Sequence, residues 1–527
     1  MDRLLPVGIQ DFVDIRKRGL CYVDKTALVH RLIAGPGQSY VLSRPRRFGK
    51  SLLCSTIRAI FEGRRELFGE IAGQPALAID GLDWEWQKHP VIKVDLSNGV
   101  YSEGPKAWRR VLRSQIGEAA ERLSIALKKG DAISQFEYLI RASHKRFGER
   151  VVIVIDEYDK PLLDSMRKPK RHEAIREKLK GFYGVLKSYE EHLRFVLITG
   201  VTRFAHVGIS SDLNHLIDLT TNPDYAEICG FTQEEVDREF ADEIEAIGKQ
   251  WDGQGFDYRK RLRSFYNGYR FTKKPLMVYN PFGLLMHYFE KGEFEPYWYR
   301  TATPTFLVKL LDERKIGVLN LKNTKVTTDD FYNYDIENLE TEPLLYQTGY
   351  LTVVDYDNDS GVYTLDFPND EVRRSFAKSL LNHYLKPSKQ TATSLYYVLL
   401  KALLAGDVEE SMRALRSYVE SIPYDIIINR EQYYQTVMHL VFTMLGFGCR
   451  SEVRIAAGRM DALVETADFV YCFEFKLDKS ADEALAQIDS KDYLLPWTGS
   501  GKKLFKVGVG IVSAERNIGD WKVVEIG

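Results

Sequence analysis

The sequence is short of several features that would assign a protein class at a glance. Cysteine is scarce: Cys21, Cys54, Cys229, Cys449 and Cys472 are the only five in 527 residues, widely scattered and with no CxxC pair. That argues against a disulfide framework or a zinc ribbon and suits a reducing compartment. No stretch offers the ~18 uninterrupted apolar residues of a membrane span. Met1 to Arg18 mixes acids and bases, with no apolar core of signal-peptide length. A cytoplasmic protein without a membrane partner is therefore expected. Charge of one sign is missing as well, since 73 Lys and Arg face 74 Asp and Glu for a net of −1. Whole-molecule electrostatics thus neither demand nor exclude a polyanionic partner, and any basic surface must be local. The ten histidines show no metal-ligand spacing, and neither a Ser-His-Asp nor a Cys-His order stands out.

What is present has the make-up of a globular chain, 44% hydrophobic and 28% charged, long enough for roughly two to four domains. From about Tyr40 to Ile209, compact runs of Val, Ile and Leu alternate with helical stretches: "QSYVLS", "HPVIKVDLS", "RVVIVIDE" and "LRFVLITGV". Strands of that kind are buried on both faces, and the alternation predicts a parallel sheet covered by helices. From about Thr232 to Leu403 the pattern is mainly helical, punctuated by "FYNGYRF", "YNPFG" and "LLYQTGYLTV". A second α/β pattern closes the chain, read as α-β-β-β-α-β. Domains over 1–225, 226–405 and 406–527 are expected.

"SRPRRFGKS", Ser43 to Ser51, lies between a strand and a helix in which Leu53, Ile57, Ile60 and Phe61 recur at helical spacing. A phosphate loop needs backbone N–H groups converging at a helix N-terminus, one lysine and one hydroxyl. Gly49, Lys50 and Ser51 supply these: close backbone approach, a cation for the β- and γ-phosphates, and a Mg2+ ligand. Arg44, however, stands where such loops carry their first glycine. "VVIVIDEYDKP" places Asp156 and Glu157 at the C-terminal edge of a strand, where ligands of open α/β sheets bind. Asp156 is expected to hold Mg2+ through water and Glu157 to polarise the attacking water. In "LITGVTRF", Thr199, Thr202 or Arg203 is placed to sense the γ-phosphate, with helix capping as the plainer role for Thr202.

Near the C-terminus, "GRMD" and "FEFK" put Glu474 and Lys476 on one strand face while Phe473 and Phe475 point into packing. Asp461, from a neighbouring strand, would complete a Mg2+ site with Glu474 and the Phe475 carbonyl. Lys476 would orient the attacking water and offset phosphate charge. Gln487, in the following helix on the same face as Glu483, would reach the site or a nucleic-acid backbone. The run "MRKPKRHEAIREKLKG" is a local basic stretch for such a backbone, whereas the aromatic punctuation is expected to pack between helices.

"RPRRFGKSLL", with "LPVGIQDFVDIRKRGLCYVDKT" before it and "DEYDKPLL", "ITGVTRF", "FYNGYRF", "YNPFG" and "LLYQTGYLT" after it, resembles the AAA-ATPase-like family of bacterial proteins with a C-terminal nuclease-like domain. The likeness runs along nearly the whole chain, and in that family too the first loop glycine is replaced by arginine. It implies an ATP site in which Arg46 and Arg47 contact phosphates or a neighbouring subunit. It also admits a homo-oligomer, with Arg203 or Arg300 as the arginine completing a neighbour's site. The family's "FSGLNNL"-like stretch is replaced here by "ISSDLNHL" at Ile209 to Leu216. "GRMD", "FEFK" and "ALAQI" resemble the PD-(D/E)XK nuclease core, in which a helical acid often joins the metal site; Glu431 is the candidate and Glu452 its competitor. The expectation is a P-loop NTPase, a helical lid or coupling region, and a Mg2+-dependent nuclease acting on DNA rather than RNA, in a defence, mobile-element or DNA-processing role. Two alternatives stand beside it: a nucleotide-controlled switch that binds nucleic acid without cutting it, and a small-molecule phosphotransferase.

Overall fold

The computed structural model describes residues 4–166, 168–203, 216–251, 257–302, 321, 323–328, 330, 341–385, 389–420, 431–445, 450–455 and 458–526. Two compact units divide the chain, one from residues 1–302 and 323–369, the other from 303–322 and 370–527. The stretch from 226 to 405, expected to be a separate helical region, is thus shared between them: 226–302 and 323–369 fall in the first, 303–322 and 370–405 in the second.

In the first unit, helices α1 (Phe12–Lys17) and α2 (Thr26–Ala34) precede β1 (Ser39–Ser43) and α3 (Lys50–Phe61). Then follow β2 (Val91–Asp95), α4 (Pro105–Arg122), α5 (Ala132–Phe147), β3 (Val151–Asp156), α6 (Lys160–Ser165), α7 (Pro169–Ser188), β4 (Leu193–Gly200) and β5 (Ile217–Asp218). All five strands are parallel, in the order β2-β3-β4-β1-β5. Each of the four long strands matches an expected run, and β3 is buried along its whole length, as its Val-Val-Ile-Val-Ile composition requires. Parallel register aligns Ser43 with Gly200 and Asp95 with Asp156. The phosphate-loop candidate and the acidic pair therefore leave the same edge of the sheet.

The remainder of this unit holds β6 (Phe231–Thr232), α8 (Gln233–Glu239), α9 (Ala241–Trp251), α10 (Tyr258–Tyr266), β7 (Val278–Tyr279), α11 (Pro281–Phe289), α12 (Tyr297–Ala302) and α13 (Thr341–Gln347). It also forms a three-stranded antiparallel sheet from β8 (Thr324–Thr327), β9 (Thr352–Asp357) and β10 (Val362–Asp366), which the helical reading missed. Val236, Phe240, Leu262, Tyr266 and Leu284 share a core with Cys21 and Val23 of the N-terminal segment.

The second unit contains α14 (Asp370–Leu385), α15 (Lys389–Ala405), α16 (Val408–Glu420) and α17 (Glu431–Leu445). After them come β11 (Arg450–Ile455), β12 (Gly458–Glu465), β13 (Phe469–Leu477), α18 (Ala481–Ser490), β14 (Lys503–Val512) and β15 (Asn517–Ile526). The sheet order is β11 to β15 in sequence, antiparallel except for the β13–β14 pair. The closing β15 extends the expected pattern by one strand. Its alternating half-exposed face lacks the dense apolar run that made its neighbours visible in the sequence.

Candidate functional site

Gly49 takes φ +94 and caps the N-terminus of α3 without a side-chain cap, leaving the helix's first N–H groups open. A left-handed turn at that position suits glycine, and the open donors with the helix dipole favour an anion. Lys50 is buried, and its Nζ donates to the carbonyls of Arg44 and Pro45 at 3.0 and 3.1 Å. It also stands 3.7 Å from the Glu157 carboxylate. Arg46, Arg47, Gly49, Lys50, Ser51 and Glu157 line a cavity of about 320 Å³ together with apolar residues such as Ile9, Val23, Phe231 and Phe282. A lining that combines cations and donors with apolar side chains suits a nucleotide, which has both kinds of surface.

Asp156 sits behind this wall, 1% exposed. Its Oδ1 accepts from the Thr199 hydroxyl at 2.5 Å and from the Glu157 N–H at 3.1 Å. Glu157 adopts φ +54, a left-handed conformation that a non-glycine residue holds only when its surroundings enforce it. Burial is the largest influence on its carboxyl and pushes its pKa up against the pull of Lys50, with Asp159 and Asp156 adding to the rise. A carboxyl moved toward neutral pH is matched to proton transfer.

Three sets of contacts around the loop were not visible in the sequence. Arg44 does not face the cavity: buried, it donates to the carbonyls of Ser43, Thr220 and Tyr225, and its guanidinium lies 4.3 Å from the Phe271 ring centre. Asp159, fully buried, accepts from the N–H groups of Val201 and Thr202 and, at 2.6 Å, from the Thr202 hydroxyl. The Thr202 hydroxyl thus ties the end of β4 to the segment after β3. The aromatic punctuation grips the loop itself: Phe48 meets Tyr269 and Phe271 edge-on, Trp298 Nε1 donates to the Arg46 carbonyl at 2.9 Å, and Gly349 approaches Pro45 where a Cβ would come within 2.7 Å. Only the spacing of these motifs from "SRPRRFGKS" hid the connection.

Arg203 is not among the cavity's lining residues. It is 3% exposed, ion-paired with Asp218, and its N–H donates to Gln347 Oε1 at 2.8 Å. Both contacts lie within its own chain. Arg300 pairs with Glu295 at the surface, and Arg47 lies over the Phe282 ring at 4.9 Å. "ISSDLNHL" lies outside the described residues except for Leu216.

In the second unit the alternation along β13 buries Phe473 and Phe475, which stack on one another, and turns Glu474 and Lys476 to the other face. Lys476 Nζ donates to Glu474 Oε1 at 3.0 Å. The Asp461 carboxylate accepts from the Phe475 N–H at 2.9 Å, which brings it to the same strand segment. Glu474 is 1% exposed, and its Oε2 has no hydrogen-bond partner among the described residues. Burial and the nearby Asp461 charge raise its pKa to about 7, against the hydrogen bond from Lys476. A buried carboxylate oxygen without a protein donor, beside a second carboxylate, fits a hard divalent cation with oxygen ligands. Gln487 Nε2 donates to the Tyr493 hydroxyl at 3.3 Å, and that buried tyrosine feels the charges of both Glu474 and Asp461. Glu483 instead closes a capping box with Ser480 at the start of α18. Glu431 opens α17, but its side chain, like that of Glu452, lies outside the described residues. No cluster of three or more metal-ligating side chains occurs among those described.

A family model described as predicted AAA-ATPase matches residues 6–210, and one for the PD-(D/E)XK nuclease superfamily matches residues 429–521. An uncharacterized protein in the vnfD 5' region of Azotobacter chroococcum mcd 1 is 36% identical over 534 residues, covering 99% of each chain. No solved structure matches. Among the described residues no helix is long and apolar enough to cross a membrane. With both domain signatures falling on the two residue clusters above and a relative aligned end to end, the chain belongs to the AAA-ATPase-like family that carries a C-terminal PD-(D/E)XK nuclease domain.

Proposed function

We propose that the protein binds and hydrolyses ATP at the Lys50 cavity and uses the nucleotide state to control Mg2+-dependent cleavage of DNA in its C-terminal unit. The single observation that carries the reading is the Glu474 carboxylate, buried, with one oxygen on Lys476 and the other lacking a protein donor among the described residues. Such a group is costly to keep unless something charged completes it.

At the nucleotide site, the open N–H groups of α3 and Lys50 would bind the phosphates, once Lys50 exchanges the loop carbonyls for them. Ser51 and Asp156 would hold Mg2+, and Thr199, through its bond to Asp156, would keep that carboxylate in place. Glu157 would accept a proton from the attacking water. At the nuclease site, Asp461 and Glu474 would hold the ion, which would supply charge stabilisation at the scissile phosphate. Lys476 would keep Glu474 oriented and offset charge on the phosphate, and the Gln487–Tyr493 pair would border the carboxylates. A defence, mobile-element or DNA-processing setting suits this pairing of activities.

The test is cleavage of linear and circular DNA by purified protein with Mg2+, with and without ATP, beside Lys476→Ala and Lys50→Ala. Loss of cleavage in Lys476→Ala and loss of its ATP dependence in Lys50→Ala are expected. Intact ATP hydrolysis with no cleavage under any metal or nucleotide condition would replace this reading by the non-cleaving switch.

A further inference from the structure

The chain's charges balance as a whole, yet in two stretches that follow the sheet edge carrying the phosphate loop they do not. Between Gly104 and Gly117 the sequence has four cations and no acid, and between Met166 and His172 it again has four and none. The first stretch begins α4, just after the C-terminal end of β2; the second leads into α7, which follows β3 and the short α6. Lys106, Arg109, Arg110 and Arg113 are all exposed. Their spacing of three and four puts them in one stripe on the helix, ~10 Å long at 1.5 Å per residue, the reach of about three successive phosphates of one strand.

The second group joins the first. Lys168 Nζ and Arg171 Nη1 both donate to the Ser102 carbonyl, at 3.2 and 2.6 Å, just ahead of α4. The Arg171 stem lies beside Gly104 at the α4 cap, and Lys170 is exposed next to it. Both helices start with proline, have no side-chain cap and carry no acid in their first turn. Of these cations, Arg110 alone pairs with a carboxylate among the described residues, Glu103 at 3.4 Å. Farther along α7, Glu173 and Glu177 end the patch.

This placement runs against the interest of the fold. A helix is stabilised by negative charge near its N-terminus and destabilised by positive charge there, so clustering exposed cations at two adjoining N-termini has a folding cost that the Arg110–Glu103 ion pair offsets only in part. An external polyanion supplies the remaining compensation.

We infer that this face of α4 and α7 is a nucleic-acid backbone surface on the ATPase unit itself, separate from the nuclease carboxylates. It rests on the reading that the protein acts on nucleic acid. Because α6 and the start of α7 follow directly from Glu157 along the chain, nucleic acid seated here lies on the same sheet edge as the nucleotide, and it is expected to accelerate ATP hydrolysis.

The test uses the full chain in Mg2+-free buffer, where cleavage is off, and fluorescence anisotropy with labelled single-stranded and duplex DNA over a salt series. The triple variant Lys106→Glu/Arg109→Glu/Lys170→Glu is compared with Lys128→Glu/Lys129→Glu/Lys145→Glu, an equal charge change at exposed residues where α4 leads into α5 and α5 ends. The first variant should bind duplex about tenfold more weakly or worse, with a salt slope shallower by about 3. It should melt no lower than wild type, since acids suit those helix starts, and in a separate assay with Mg2+, run in a Lys476→Ala background to keep cleavage off, it should lose DNA stimulation of its ATPase while keeping its basal rate. The control should bind as wild type does. Equal binding by all three proteins, or an equal loss in both variants, overturns the inference and leaves the nuclease reading standing. Wild-type protein that hydrolyses ATP yet neither binds nor cuts nucleic acid overturns both.

Discussion

Replacing Glu474 with glutamine keeps the side chain's shape and its contact with Lys476 while deleting a charge that the fold holds at a cost. The carboxyl's pKa rises from an ordinary 4.5 to about 7, chiefly because it is taken out of water and secondarily because Asp461 is near. Since the folded state binds this proton more tightly than the unfolded state, stability from the group is fully present below 4.5, declines as pH rises, and is lost above about 7. At 1.36 kcal/mol per unit that shift is worth about 3 kcal/mol. Glutamine does not titrate, so without divalent metal the variant should gain on wild type by about 3 kcal/mol between pH 4.5 and 8. The assay is urea unfolding of both proteins across that range, with the C-terminal unit followed by hydrogen-exchange mass spectrometry so that the two units are not averaged. Adding Mg2+ at pH 8 should reverse the order, because only the wild type has the carboxylate to bind it; a thousandfold excess over Kd adds about 4.1 kcal/mol, more than the deficit of about 3. Wild-type and variant curves that stay parallel across pH, or a wild type indifferent to Mg2+, would refute the claim that this carboxylate is poised for a cation.

Arg44→Gly, which restores the usual phosphate-loop glycine, should weaken both the fold and nucleotide binding: three carbonyls lose their donor, at about 3 kcal/mol or more by thermal or urea unfolding. A glycine variant of undiminished stability that binds ATP more tightly would contradict the anchoring role. Glu157→Gln should retain ATP and slow its turnover by roughly 10²–10⁴. In the wild type, the acid limb of the rate profile should lie above the ordinary carboxylate range, because burial raises this carboxyl. Gly508→Ala should destabilise the C-terminal unit by about 1–3 kcal/mol, since a Cβ would sit 2.4 Å from the Ala481 carbonyl and 2.8 Å from Leu485; hydrogen exchange confined to β13, β14 and α18 would locate the loss.

The sequence displays the parts whose signal is local. The Val/Ile runs of β1 to β4 are legible because double burial forbids polar residues along them, and Gly49-Lys50-Ser51 because close backbone approach and phosphate charge dictate residue type at adjacent positions. The Glu474–Lys476 pair shows for the same reason, two residues apart on one strand face. Tyr493 and Asp159 stayed hidden because their significance lies in partners many residues away, and nothing in "SKDY" or "EYDK" announces them. Thr202 reads from the sequence as a γ-phosphate sensor or a helix cap; its bond to Asp159 is a third role that no local pattern announces. β15 and the β8–β10 sheet were missed because alternating, half-exposed strands carry a weak pattern beside strong helices.

Arg44 shows what a local departure from a motif can mean. In a glycine-initiated loop the backbone holds its shape by turn geometry alone, so neighbouring segments need not touch it. Here a long side chain leaves the first loop position and bonds three carbonyls of the 43–225 stretch, while Phe271 covers its guanidinium. Asn280 and Trp298 reach the next carbonyls, of Arg47 and Arg46. The loop is consequently shaped by residues that follow the sheet in sequence, from "FYNGYRF" through "LLYQTGYLT". Any movement of Lys50 from the carbonyls of Arg44 and Pro45 toward a phosphate changes groups that those segments hold directly. Under the proposed reading, nucleotide binding would be felt by those segments through the loop backbone. Arg203, tied to Asp218 and Gln347, joins the same scaffold.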